Sequence, residues 1–583
     1  MNLFDLRPLD LAIMIGYAVL IIAYGLYHSK RKSSEDYFLG GRSMTWPIVG
    51  IALFAANISS STLVGLAGDA YKTNIHVYNY EWFAVVVLIF FSIFFLPFYL
   101  KSGVYTMPEF LEKRYDRKSR YYFSFITVVG NILVDTAAGL YVGNIILKLI
   151  FPEIDSTVII ITLAVAAAIY TIPGGLNAVV QTEVIQAILL IIGSCLLTYY
   201  AFDELQGGWG EMMSGLDTML DNGEVQNVNK MIEDGYAVPE TASQAFSMVR
   251  GNGDEFMPWW GLLTGVPLLG FYFWANNQFM VQRVLGAKDL NHGRWGALFA
   301  GLLKLPVIFI MVVPGVLALL LYNDLDISGL NYKVGDDICT NLADCPNLTY
   351  PVLLGQLLPT GVLGLVVAGL LAAMMSSVSA TFNSASTLVT MDFVRTLRPN
   401  MTNKGLVRAG QITTLILVVL ASLWVPFIEK VSDSLFTYLQ LIISYIAPPA
   451  VATFVIGLFW KRATAQGSIA CFITGFVATI ILLLNKMLVF SVSLAEIHFL
   501  AMTVYLFILC VTVHIIVSLN TPAPDPAQIE NYIYKSSMFR DESAELKSMP
   551  WYKNYRILAA LLLLLTAIIV GMFIEIPIPL FSE

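Results

Sequence analysis

A chain of 583 residues that is 57% hydrophobic and only 13% charged, with a mean hydropathy of +0.72, is not a string of water-soluble domains. The net charge of −8 says little about partners, because eleven acids against Lys230 and Arg250 sit in the single stretch 203–257. Five histidines, no Gly-rich phosphate loop and no nucleophile–base pair argue against a nucleotide-driven motor and against an intramembrane enzyme.

Apolar stretches long enough to cross roughly 30 Å of hydrocarbon recur along the whole chain. They predict helices over 9–28, 46–70, 77–100, 121–150, 156–172, 181–202, 258–284, 294–322, 352–394, 406–425, 431–460, 464–485, 497–519 and 555–577. The expectation is an all-α polytopic membrane protein of about fourteen transmembrane helices. The first stretch follows Asp5, Arg7 and Asp10 and precedes no small-residue cleavage site, so it reads as a retained helix rather than a signal. The loops 29–45, 101–120, 285–293, 395–405 and 461–463 with their flanks carry nineteen Lys and Arg, among them Lys30, Arg31, Lys32, Lys113, Arg114, Arg117 and Lys118. Positive charge stays in the cytoplasm, so both termini are expected outside a plasma (inner) membrane. Cys195, Cys471 and Cys510 lie in apolar helices and read as packing residues. Cys339 and Cys345 share a polar loop and would pair only if it faces an oxidising compartment. Asp69, Glu109 and Asp392 lie near helix ends and read as solvated. The Pro-punctuated stretch from Thr521 to Lys553 is polar and carries no appended soluble domain.

Two spans are not clean apolar runs. Ala55-Ala56-Asn57-Ile58-Ser59-Ser60-Ser61-Thr62 puts polar residues at mid-membrane depth, and Tyr272-Phe273-Trp274-Ala275-Asn276-Asn277-Gln278 does so five helices later. Unwound backbone survives in lipid only where it lines a cavity, and such interruptions in matching positions of two halves point to a transporter site. Counted from the second helix, the breaks fall on the first and sixth members of a ten-helix unit. The expected organisation is an extra helix and loop (1–45), a first five-helix repeat (46–203), an acidic external loop (204–257), a second inverted repeat (258–460) and additional helices (461–583).

Several motifs between about residue 30 and residue 465 together carry a resemblance. They are Asn57-Ile58-Ser59, Tyr80-Glu81-Trp82, Gly174-Gly175-Leu176, Asn277-Gln278 with Gln282-Arg283, Ser376-Ser377, Tyr438-Leu439-Gln440, Pro448-Pro449 and Phe459-Trp460-Lys461-Arg462. In them the chain resembles the solute:sodium symporter family, specifically a bacterial-type member of its sodium/glucose (sugar) cotransporter branch. The resemblance implies a LeuT-type fold with discontinuous helices, alternating access, and Na+ as the coupling ion. Ala373, Ser376 and Ser377 share one helical face at i, i+3 and i+4, and with the carbonyls of Ala55 and Ile58 they match the family's sodium ligands. By themselves the two serines read as close-packing residues as readily as ligands. A second sodium near Glu183 and Ser379 is left open, since Ala380 stands where a hydroxyl would complete that site. A Glu183 solvated from the cytoplasm is the competing reading.

Charges in the bilayer interior are costly and usually functional. In the sugar-transporting relatives the residues matching Glu81, Lys304 and Gln440 bind sugar hydroxyls. Thr62, Tyr80 and Asn277 complete the expected solute site, and Phe273 holds an inner-gate position where a tyrosine is usual. A Glu81–Lys304 salt bridge holding helices together is the structural alternative. Thr62, Ala84, Gly270 and Phe273 all depart from the sugar-carrier pattern, which leaves the solute open between inositol, a hexose and a sugar acid. A carrier of a sugar acid, monocarboxylate or amino acid is the alternative function. Asp135 is a further intramembrane acid with no role in the family pattern, and either pairs with Lys304 or faces a water-filled cavity. The expected partners are the solute, sodium and the lipid bilayer, with no nucleic acid, and the expected state is a monomer or weak oligomer.

Overall fold

The computed structural model describes every residue except 1, 2, 5, 30–32, 224–238, 253, 255, 335, 336, 427–434, 489–496 and 576–583. Asp5, Lys30, Arg31, Lys32, Lys230 and the predicted helix ends at 431–434 and 576–577 therefore lie outside the described residues. Among the described residues, helices occupy all fourteen predicted cores. Nine are long and apolar enough to cross a membrane by length and composition, and a tenth is the pair Leu290–Lys304 and Ile308–Tyr322, bent by 43°. The outward faces of these helices carry large apolar side chains, such as Ile412, Ile416, Val419 and Leu423 on one helix. Hydrocarbon is the solvent for such faces, so exposure there costs nothing.

Two departures from ideal helices and one long-range cap organise the bundle. The run Ser156–Glu204 is two helices, because Gly175 (φ 60°, ψ −153°) occupies a conformation open only to glycine. A side chain there would also strike the backbone carbonyl of Tyr37. The predicted core 352–394 is likewise divided, into Thr349–Leu357 and Val362–Leu388. Pro359 and Gly361 (φ 88°) stop the first piece, a break that the apolar run hides. The N-terminus of Val362–Leu388 is capped from a distant helix. The carboxylate of Asp10, itself fully buried, accepts from the amides of Gly361 (2.7 Å) and Gly364 (2.9 Å). An anion at a helix N-terminus satisfies orphan amides and the helix dipole together, so the first span is pinned to the helix that carries Ser376 and Ser377.

Two of the acids expected to be solvated are not. Asp392 is fully buried, bonded to Thr106 Oγ1 (2.7 Å), to the Arg120 guanidinium (2.8 Å) and to Ser124. Asp69 is 3% exposed. A position near a helix end gives access to water only where no neighbouring element covers it, and here neighbours do. Glu109 is partly exposed, accepting from the Tyr105 amide at 2.8 Å. Arg114 closes the C-terminus of Leu435–Phe459, donating to the carbonyls of Gly457 (2.6 Å) and Trp460 (3.0 Å). Cys339 and Cys345 form a disulfide, Cys471 and Cys510 are buried, and Cys195 is exposed on its helix.

The polar stretch after Thr521 folds back as the helix Ser536–Lys547. Its Glu542 bonds Arg294, Tyr555 Oη (2.8 Å) and Arg556 (2.7 Å). Burial is the largest single influence and would raise the Glu542 carboxyl, but Arg294, Tyr555 and Arg556 together outweigh it and hold the group below the ordinary value.

Replacing Asp10 by Ala strips the cap from Val362–Leu388 and should destabilise the protein by about 1–2 kcal/mol. Thermal unfolding of the purified protein in detergent reads this as a lower midpoint, with Asp10→Asn falling between the two.

Candidate functional site

The first broken span sets the geometry. Trp46–Asn57 ends as Ile58 (φ −83°, ψ 82°) and Ser59 (φ −89°, ψ 171°) leave the helix, which resumes at Ser60–Thr73. Ser59 acts as the new N-cap, its hydroxyl accepting from the Thr62 amide at 3.2 Å. The Ser59 amide turns back to the Asn57 carbonyl at 3.0 Å. In a continuous helix those two amides would serve the carbonyls of Ile58 and Ala55, so the break deprives both carbonyls of their helical partners. Thr62 Oγ1 donates to the Asn57 carbonyl (2.8 Å), tying the two halves together.

The second broken span repeats the device. Trp259–Phe271 widens into a π-turn at Tyr272–Asn276, extends at Asn277 (φ −70°, ψ 127°) and resumes at Gln278–Leu285. Asn277 caps the second piece, accepting from the Phe279 amide at 3.3 Å. Its side chain serves the backbone and does not line the cavity described next.

Between the two breaks lies a cavity with about 910 Å³ of empty space, its open mouth included. Of the predicted solute residues, Thr62, Tyr80, Glu81 and Gln440 line it together with Phe273, while Ser377 comes from the helix Val362–Leu388. That helix packs against both halves of the first broken span. Ser376 is 1% exposed, and among the described residues its hydroxyl has no hydrogen-bond partner. The Ser377 hydroxyl donates to the Ala373 carbonyl (3.0 Å), which leaves its oxygen able to accept or ligate. Ala55, Ile58 and Ala373 are buried behind the cavity wall. An orphan hydroxyl, a second hydroxyl and carbonyls released from their ordinary helical amides form an all-oxygen donor set, which suits a hard monovalent cation. Among the described residues no group of three or more His, Cys, Asp or Glu is placed to hold a transition metal.

Lys304 and Glu81 form a buried ion pair, with 1% and 5% of their side chains exposed. Lys304 also donates to the Asn57 side-chain carbonyl and lies 5.5 Å from the Trp274 ring centroid. The salt-bridge alternative is therefore what the structure contains, but Glu81 keeps a face on the cavity whereas Lys304 stands behind it. Asp135 does not pair with Lys304. It faces the cavity from the π-turn Asn131–Thr136.

Glu183 is fully buried rather than solvated, and its carboxylate is bound by the Arg283 guanidinium. The Ser379 hydroxyl bonds Tyr170 Oη at 2.8 Å. Two participants escaped the sequence reading of roles, Asn57 and Arg283. Both stood inside quoted motifs, yet nothing local marks an Asn as the partner of a lysine 247 residues away. An Arg at the end of an apolar helix reads as interfacial until the opposite acid is seen.

Comparison with known proteins gives a consistent picture. The profile of the sodium:solute symporter family matches residues 37–475. The chain is 34% identical over 532 residues to a sodium/glucose cotransporter 1 of Mus musculus, covering 88% of this chain and 79% of that protein. It is 33% identical over 569 residues to a sodium/myo-inositol cotransporter of Homo sapiens, covering 93% and 78%. Among solved structures, an outward-open, substrate-bound Na+-coupled sialic acid symporter superposes with a TM-score of 0.71 at 21% identity, over 89% of this chain and 99% of that one. Mhp1, a nucleobase-cation-symport-1 transporter, superposes at 0.51 with 12% identity, over 86% and 99%. At such identities these two establish the fold alone.

Removing one member of the buried pair leaves the other charge uncompensated. Lys304→Met should cost roughly 3–5 kcal/mol of stability, whereas Lys304→Met combined with Glu81→Leu should cost clearly less. Unfolding midpoints of the single and double variants in one detergent measure both.

Proposed function

The chain belongs to the sodium:solute symporter family, and from that premise we propose that it imports a sugar or polyol of the hexose or inositol class, driven by sodium, by alternating access. The reading rests on one observation. The break at Ile58–Ser59 strips two carbonyls of their partners on a span packed against the helix of Ser376 and Ser377, beside a solute-sized cavity. Sodium takes the carbonyls of Ala55, Ile58 and Ala373 and the hydroxyls of Ser376 and Ser377. By ordering the broken span it fixes Thr62 and the Asn57–Lys304–Glu81 chain on the cavity wall, so solute binds better when sodium is bound. The coupling is reciprocal.

The solute is held by acceptors and donors suited to hydroxyls: the Glu81 carboxylate with Lys304 behind it, the Gln440 amide, Thr62 and Tyr80. Phe273 packs edge-on against Trp274 and Phe279 at ring-centroid distances of 5.4 and 5.5 Å, a position from which it gates the inner end. Sugar transport is supported by the names of the curated relatives, which are sodium/glucose and sodium/myo-inositol cotransporters. The driving force is adequate. One charge moving through ~100 mV yields about 2.3 kcal/mol, and a tenfold sodium gradient adds about 1.4 kcal/mol. Together they sustain accumulation of several-hundred-fold. The positive-inside pattern supports both termini on the external side of a plasma membrane.

Uptake by purified protein in liposomes, with labelled hexoses, myo-inositol and sugar acids in the presence and absence of sodium, tests the proposal. Sodium-independent uptake would overturn it. Ser376→Ala and Ser377→Ala should each raise the half-saturating sodium concentration by roughly tenfold, about 1.4 kcal/mol. Lys304→Ala should act mainly on the half-saturating solute concentration.

A further inference from the structure

The solute cavity holds one charge that none of its own walls answers. Among the described residues that line it, Glu81 and Asp135 are the carboxylic acids, and none is Lys, Arg or His. Glu81 is matched by the lysine behind it. For Asp135 no hydrogen bond or ion pair is found among the described residues.

The carboxylate is also held firmly in place. It belongs to the π-turn Asn131–Thr136, whose extra residue per turn displaces side chains from ordinary helical register. That turn is fastened to the helix Val362–Leu388 on both sides of Asp135. Asn131 Nδ2 donates to Ser384 Oγ at 2.9 Å, and Thr136 Oγ1 shares a 2.7 Å hydrogen bond with Thr381 Oγ1. Thr381 and Ser377 line the same cavity, so Asp135 sits among hydroxyls and is presented to the solute.

We propose that Asp135 sets the charge selectivity of this carrier: its carboxylate excludes anionic solutes and admits neutral polyols and polyols bearing a basic amine. The inference rests on the solute reading above and narrows it. A solute bound here lies against the walls that carry Asp135, so a carboxylate or phosphate on it would meet a like charge that low-dielectric surroundings leave poorly screened. A hydroxyl on a neutral sugar instead donates to the carboxylate, and an ammonium pairs with it. Lys304, which would otherwise attract an anion, is already neutralised by Glu81. When Asp135 is ionised, the cavity carries a negative charge that only the solute or a counter-cation can meet.

Three pyranose probes of nearly one shape and different charge provide the test: D-glucose, D-glucosamine at a pH where its amine is protonated, and D-glucuronate. Each competes against labelled D-glucose for sodium-driven uptake by the full-length protein in liposomes. In the unsubstituted protein, glucuronate should compete at least tenfold more weakly than glucose, and glucosamine no more weakly than glucose. In Asp135→Asn the ratio of glucuronate to glucose affinity should rise about tenfold and the advantage of glucosamine over glucuronate should shrink. Asp135→Glu, which keeps the charge, should retain the original ranking and thereby separates charge from packing. Equal competition by glucose and glucuronate in the unsubstituted protein overturns this inference and leaves the sugar reading standing. Uptake of acidic solutes with no effect of neutral or basic ones overturns both. An unchanged ranking in Asp135→Asn combined with a loss of sodium affinity assigns the carboxylate to a cation instead, and overturns it as well.

Discussion

Backbone that leaves its helix inside hydrocarbon must find partners for the carbonyls it exposes, and in this chain that requirement organises the site. At Ile58–Ser59 the amides that would have served Ala55 and Ile58 are diverted to the Asn57 carbonyl and the Ser59 hydroxyl. Lipid offers no substitute. The helix packed against the break supplies Ser376, whose hydroxyl has no partner among the described residues, and Ser377, whose oxygen is still able to accept. In the structure the Ser376 hydroxyl does not turn to those carbonyls, and both sides of the contact keep oxygens that can accept or ligate. Under the proposed function a bound cation would take up both sets of oxygens, and the apposition would then serve as the coupling device.

Lys304 transmits that demand to the cavity. It reaches the Asn57 side chain on the broken span and Glu81 on the next, so any shift of the broken span is felt where the solute binds. The pair also explains how two full charges survive at this depth: each is the other's counterion, and the amide of Asn57 occupies another donor of the ammonium. Asp135 has no such arrangement among the described residues, and it lines the cavity.

A second layer of buried ionic contacts surrounds the core. Asp10 caps the helix of the two serines, Asp392 joins Arg120 to Thr106 and Ser124, and Glu183 meets Arg283. These contacts link elements far apart in sequence. Each holds a helix end or a helix pair at fixed separation, and lipid cannot do this, because it drives no apolar association between helices.

Sequence by itself determined the class and the skeleton: hydropathy set the fourteen helices, and polar residues at Asn57–Thr62 and Asn276–Gln278 marked both breaks, since polar backbone and side chains in hydrocarbon have few uses. It also singled out Glu81, Lys304 and the two serines as residues out of place in lipid. It misjudged Asp69 and Asp392, and the solvated alternative for Glu183 fails likewise, because position along a helix does not tell which neighbour covers its end. It joined 352–394 into one helix, because Pro359 and Gly361 interrupt too briefly to disturb an apolar average. Only the tertiary structure decided that Asp135 faces the cavity while Lys304 stands behind Glu81, and that Asn277 serves as a cap. Those outcomes depend on helix rotation and on contacts across hundreds of residues, which hydropathy and spacing do not encode.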